Sequence, residues 1–262
     1  MKELAELALD TAKSKGASYA DIRICRYRNQ YVFGRDKRIE TVADTEDIGF
    51  GVRAVANGAW GFASSYRLER DEIERIAAMA VEVAKASSRL LKQPVELAPE
   101  PAHHDHWQSP IQKNPFKIPM EKKIDLVLGI NEEMLKVDGI KVAMTYLMFN
   151  EMWKYFASTD GSFIEQDLIF TYPQATAVAV VAGDSQTRSI QVPPEQKGYE
   201  LIESIDWIEK ARKTAEEAVQ KVKARQGTSG KMDVILMPSH LCLTMHESIG
   251  HATELDRAIG WE

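Results

Sequence analysis

The sequence predicts a mixed α+β protein on three observations. Apolar residues recur at helical spacing over 2–15, 69–87 and 124–135. Between these stretches they alternate with a period of two. Turn-forming pairs, Asn57-Gly58 and Asp160-Gly161, fall where one alternating run gives way to the next. The expected organisation is two α-strands-α units, residues 1–90 and 120–228, joined by a proline-rich linker at 91–119 and followed by a strand-helix segment at 229–262.

Leu4, Leu7, Ala8, Thr11 and Ala12 mark one face of the first helix, and Gly16 supplies its stop. From Asp21 the period changes, and short strands are expected at Ile22–Ile24, Tyr31–Phe33, Arg38–Val42 and Gly49–Val55. Asn57-Gly58 predicts a type I′ hairpin, because both residues tolerate positive φ. Ile73, Ile76, Ala77, Ala80, Val81 and Ala84 then define the buried side of a second helix. Residues 88–119 carry six prolines and the cluster His103-His104-Asp105-His106, and read as a solvated surface linker. A helix at 124–135, strands near 140–149, 152–157, 162–170 and 176–182, and a charged helix at 205–226 form the second unit. The apolar run Met232–Met237 reads as a strand buried on both faces, leading into a helix at 240–258. Tyr31, Phe33, Trp60, Phe62 and Tyr66 could line a ligand surface, but they are expected in the core, the usual place of strand aromatics.

Composition narrows the function. With 33 basic and 39 acidic residues the formal charge is −6, which argues against a general polyanion binder and so against direct nucleic-acid contact. Cys25 and Cys242 cannot build a disulfide framework. The acids in the first seven residues break any signal-peptide core, and no run approaches the ~18 apolar residues of a membrane span. A soluble cytoplasmic protein is expected.

The chemistry concentrates in His246-Glu247-Ser248-Ile249-Gly250-His251. Two neutral imidazoles suit Zn²⁺, and an adjacent carboxylate can take a proton from water at an open coordination position. The spacing is the difficulty: at i and i+5 the two side chains diverge by about 140° on an ideal helix, against about 40° at i and i+4. Both reach one ion only where the helix is widened or broken, and Gly250 is where such a deformation is expected. The alternative is a pair of ordinary helix histidines with a solvated glutamate between them. Cys242, one turn earlier, is the best internal thiolate candidate, though a small core residue is the more usual role of such a cysteine. Glu254, three residues after His251, is the next candidate ligand, though solvation on the helix surface or a hydrogen bond to a ligand is the more usual role.

The pattern His246-Glu247-x-x-Gly250-His251-x-x-Glu254-x-Asp256 resembles the TldD branch of the TldD/PmbA metallopeptidases, also described as modulators of DNA gyrase. Upstream, Gly16-Ala17-x-x-x-Asp21-x-Arg23, Gly49-x-Gly51-Val52-Arg53, Asn57-Gly58-x-x-Gly61-Phe62, Trp107-x-Ser109-Pro110 and Asn114-Pro115 occur in that family's order. The resemblance implies a zinc peptidase acting on unfolded peptides or peptide precursors. In it His246 and His251 would be metal ligands, Glu247 would polarise the attacking water, and a related subunit would be the partner. It also implies a third ligand, a cysteine from a later β-rich domain, whereas this sequence ends at Glu262 before any such cysteine. A non-catalytic scaffold or partner subunit lacking a complete metal site is the second reading. Gyrase or DNA modulation, suggested only by the family's older description, ranks last.

Overall fold

The computed structural model describes residues 1–261, the side chain of Gln191 excepted. It divides into two bodies, Met1–Lys223 and Ala224–Glu262. The first begins with α1 (Lys2–Ser14), then β1 (Tyr19–Arg35), β2 (Arg38–Ala56), β3 (Ala59–Ser65) and α2 (Arg70–Ser87). After a short strand, β4 (His104–Gln108), come α3 (Met120–Leu135), β5 (Ile140–Ser158), β6 (Phe163–Val181), β7 (Asp184–Gln191), α4 (Glu200–Glu203) and α5 (Trp207–Lys223). The mixed α/β class is the one expected.

Local chemistry sets the element ends. Gly16 takes φ +92° at the end of α1, where its N–H donates to the Lys13 carbonyl and that of Ala17 to Ala12, the paired bonds of a Schellman stop. Asn57 and Gly58 both adopt positive φ, 51° and 75°, and close the β2–β3 hairpin as a type I′ turn. Gly161 does the same work at φ +93° between β5 and β6.

Several strands differ from expectation. The short runs fuse: β1, β2, β5 and β6 are 17 to 19 residues long. Polar positions such as Arg28 and Asn29 do not interrupt β1, because its backbone is hydrogen-bonded to long partners on both sides whatever the side chain. β7 was not legible, since it follows an Ala182-Gly183 turn in which alanine, not a usual turn former, takes φ +52°. Within the expected linker, β4 pairs in parallel with β6, His104 opposite Phe163 through Gln108 opposite Asp167.

All these strands share one sheet, ordered β3-β2-β1-β5-β6, with β4 and β7 each alongside a different stretch of β6. The seam between the two α-strands-α sets is β1 against β5, antiparallel from Asp21 opposite Ser158 to Arg35 opposite Met144. Each set keeps its own core. Ile22, Ile24, Val52, Ile73, Ile76 and Val81 pack under α1 and α2, and Val32, Val127, Ile130, Leu147, Phe149 and Trp207 under α3 and α5. Ile22, Ile24 and Val32 have the same parity on β1 and are all fully buried, so both helix pairs cover one face.

Glycines let the helices come close. A Cβ on Gly61 of β3 would stand 2.0 Å from the Ala80 carbonyl of α2, and one on Gly34 of β1 would stand 2.6 Å from a Val127 methyl of α3. The opposite face is open. It carries Trp60 and Phe62, the latter 58% exposed, and Tyr66 beyond β3 is 78% exposed; these three are surface residues, contrary to the core position expected. Edge strand β3 has a helix on one face only, so alternate side chains stay out.

Candidate metal centre

The second body is short and its apolar residues are largely uncovered. Met232–Met237 is irregular and not the expected strand: among the described residues it has no strand beside it, and a β-backbone needs a ladder to complete its hydrogen bonds. Pro238, whose fixed φ and missing N–H suit a first helical turn, starts α6 (Pro238–Met245). The chain then opens into a π turn over His246–Gly250, tightens to a 3₁₀ turn over His251–Thr253, breaks at Glu254 (ψ 137°) and ends with α7 (Leu255–Ala258). The expected 240–258 helix is thus one interrupted helical segment.

The interruption falls on the histidines. The N–H of His251 bonds to the carbonyl of His246, five residues back, so one wide turn separates them. Their rings lie edge to face with centroids 4.3 Å apart. One donor atom from each of His246, Glu247 and His251 lies within 4.8 Å of the others. Glu247 Oε2 is 3.9 Å from His251 Nε2, and Glu247 Oε1 is 4.0 Å from His246 Nε2. Gly250 ends the π turn in an ordinary helical conformation (φ −55°), and a Cβ there would meet His246 Nδ1 at a normal 3.6 Å. The widening therefore does not depend on glycine's access to positive φ.

Glu254 lies beside His251 rather than in the cluster. Its Oε1 is 2.6 Å from His251 Nδ1, and that contact, ahead of the charge on Arg257, holds its carboxyl below the usual range. A carboxylate on Nδ1 fixes the ring's orientation and leaves Nε2 as the free lone pair, the arrangement typical of metal-ligating histidines. Cys242 is exposed, with its thiol toward the Ser239 carbonyl at 3.4 Å, and does not join the donor cluster. In the histidine-rich linker, His106 Nε2 pairs with Asp167 at 2.8 Å and His104 lies against the Phe163 ring, so these side chains serve the β4–β6 pairing. Asp21, Arg23 and Arg53 meet on the open sheet face, although in the sequence Asp-x-Arg and Gly-x-Gly-Val-Arg carry no chemical role and are visible only as family signatures.

The mixed α/β scaffold is one that solved structures share, and in this chain a His-Glu-His cluster on a distorted helix follows it in sequence. The chain belongs to the TldD/PmbA family: residues 20–84 match PmbA/TldA metallopeptidase domain 1 and residues 113–226 match its central domain. A metalloprotease of Methanothermobacter thermautotrophicus is 28% identical over 242 residues, 91% of this chain and 51% of that protein. A zinc metalloprotease TldD homologue of Saccharolobus solfataricus is 25% identical, covering 94% of this chain and 52% of its own length. The chain spans about half the length of these curated relatives. Among solved structures, a proposed modulator of a DNA gyrase from Thermotoga maritima superposes with a TM-score of 0.67 at 16% identity, over 87% of this chain and 50% of that one. TldE of Thermococcus kodakarensis gives 0.60 at 14%, over 84% and 47%. No helix among the described residues is long and apolar enough to cross a membrane.

Proposed function

We propose that this chain is part of a zinc-dependent metallopeptidase that hydrolyses unfolded peptides or peptide precursors in the cytoplasm alongside a related subunit. The observation that supports it is the convergence of His246, Glu247 and His251 within 4.8 Å across a π turn. His246 and His251 would hold the ion, and the two-imidazole donor set with an adjacent carboxylate suits Zn²⁺. Bound there, the metal would supply Lewis acidity toward a water and a scissile carbonyl. Glu247 would accept the water's proton at a carboxylate oxygen and return it to the leaving amine. Glu254 would keep the His251 ring in place through Nδ1. The related-subunit partner rests on the family and on the likeness to a TldE structure.

The test is zinc content with peptide hydrolysis, for the 262-residue chain and for a form extended to the length of its relatives. The extended form should hold zinc stoichiometrically and cleave peptides. His246→Ala or His251→Ala should remove both properties, and Glu247→Gln should keep the metal and lose turnover. Full hydrolysis by the histidine variants would overturn the reading.

One observation favours the scaffold reading for the chain by itself: among the described residues no fourth side chain joins the cluster. If neither the 262-residue chain nor the extended form holds zinc or cleaves peptides, the scaffold reading stands.

A further inference from the structure

On the open face of the sheet, far along the chain from the histidines, two arginines converge on one buried carboxylate. Asp21 on β1 is fully buried. Its Oδ1 accepts from Arg23 at 2.7 Å, and its Oδ2 accepts from Arg53 Nη2 at 2.7 Å, from Arg53 Nε at 3.0 Å and from the Tyr19 hydroxyl at 3.1 Å, which leaves the Nη1 side of Arg53 unused by Asp21. The arginine side chains are 40% and 42% exposed. One carboxylate offers about four acceptor sites against ten guanidinium N–H donors. The group thus retains a unit positive charge and spare donors at the surface. Aromatic rings fix both heads: Arg23 lies over Phe156 at 4.8 Å and Arg53 over Trp60 at 5.1 Å.

Beside them is a cavity of about 270 Å³ with Arg23, Arg53, Phe62 and Ser64 in its walls and Gly49 and Gly51 in its floor. The glycines keep it open. On β2 they stand opposite Cys25 and Arg23, and a Cβ on Gly51 would press to 2.8 Å from the Phe62 ring. No acidic side chain lines this trough. By contrast, the cavity on the other side of Arg53 has Glu100 and Asp160 in its wall, which repel an anion there. Asp47, opposite Tyr27 and two residues beyond Gly49, ends the basic stretch. The adjoining β3 is the last strand of the sheet, and an extended chain laid along such an edge gains main-chain hydrogen bonds without demanding one sequence.

We propose that this trough, between Arg23 and Arg53 over Gly49 and Gly51, binds the carboxylate of an extended peptide. Planar guanidinium forks match a carboxylate in shape and charge. The proposal does not rest on the peptidase reading, because every residue it uses lies in the first body. A carboxylate could come from a chain terminus or from an acidic side chain, and the two sources are separable by probe.

The experiment follows the Arg23 and Arg53 Nε–H signals by NMR during titration of the 262-residue chain. Three probes are used: acetyl-tetra-alanine with a free carboxylate, the same peptide as its amide, and an amidated acetyl-peptide with one central glutamate. The free acid, the glutamate peptide or both should shift the two signals, with binding about tenfold or more tighter than the neutral amide. Which acid binds identifies the source. Arg53→Ala removes a partner of buried Asp21 and can unfold the sheet, so the decisive variant is Ser64→Asp. Ser64 is exposed on the edge strand, and the new carboxylate would occupy the trough while leaving the Asp21 cluster intact. Ser64→Asp should abolish the response, and His246→Ala should leave it unchanged. Equal binding of acid and amide, no shift with either acid at millimolar concentration, or an undiminished response in Ser64→Asp would overturn the proposal.

Discussion

The backbone N–H of His251 bonds to the carbonyl of His246, and this single five-residue turn turns an unfavourable spacing into a face-to-edge pair of imidazoles 4.3 Å apart. An α-helical path would have sent the rings to different sides of the helix. Insertion of one alanine between Ser248 and Ile249 should therefore separate them again. Zinc affinity measured by chelator competition is expected to fall with the insertion about as far as it does in His251→Ala. Retained affinity would mean that the turn is not what brings the ligands together.

Glu254 should matter for affinity without being a ligand. Its 2.6 Å contact with His251 Nδ1 orients the ring. Loss of such a partner typically weakens metal binding by about 10–100-fold. Glu254→Ala should show a drop of that order in the same competition assay, with zinc stoichiometry unchanged. A change in stoichiometry would place Glu254 among the ligands.

Lys123 on α3 is fully buried, donating to Gln30 Oε1 and to the Pro115 carbonyl at 2.6 Å beneath the Phe149 ring. Burial, partly offset by Asp44, lowers its pKa from 10.5 to about 8. Because the unfolded chain keeps the proton to higher pH, the burden of the buried charge is fully present below about 8. It is relieved as pH rises from there toward 10.5, where stability should increase. Urea unfolding across that range should show the increase in the native protein and not in Lys123→Met. An identical profile in both would assign it to another group.

His106 acts in the opposite sense. Its hydrogen bond with Asp167 raises its pKa, so the pairing is strongest when the ring is protonated and weakens as pH rises through the folded value. Hydrogen exchange at the β4 amides should quicken as pH climbs above about 6.5, the ordinary histidine value, beyond the intrinsic base-catalysed increase. Asp167→Asn should remove that excess, and its persistence would rule the pair out as the cause.

Gly61 is a packing prediction. A Cβ there would stand 2.0 Å from the Ala80 carbonyl and 2.4 Å from the Ala84 nitrogen, both backbone atoms of α2. Gly61→Ala should destabilise the first body by about 1–3 kcal/mol, the usual range for overpacking. An unchanged urea midpoint would show that α2 can shift away freely.

Residues near in the chain made much of this protein legible from its sequence. The helical faces of α1, α2, α3 and α5 and the turns at Asn57-Gly58 and Gly161 follow from periodicity and from which residues accept positive φ. The His246-Glu247-His251 cluster could be picked out by residue type, and its spacing required a widened helix. Tertiary structure decided the rest, because pairing depends on partners remote in sequence. The β1–β5 seam joins residue 21 to residue 158, and no local pattern encodes that register. β4 becomes a strand only because β6 offers it an edge, while Met232–Met237, more apolar and more strand-like by pattern, has no such neighbour among the described residues and stays irregular. Asp21, Arg23 and Arg53 meet for the same reason: the β1–β2 ladder sets Asp21 opposite Arg53, 32 positions along the chain, and burial of the shared carboxylate holds both guanidinium groups in place.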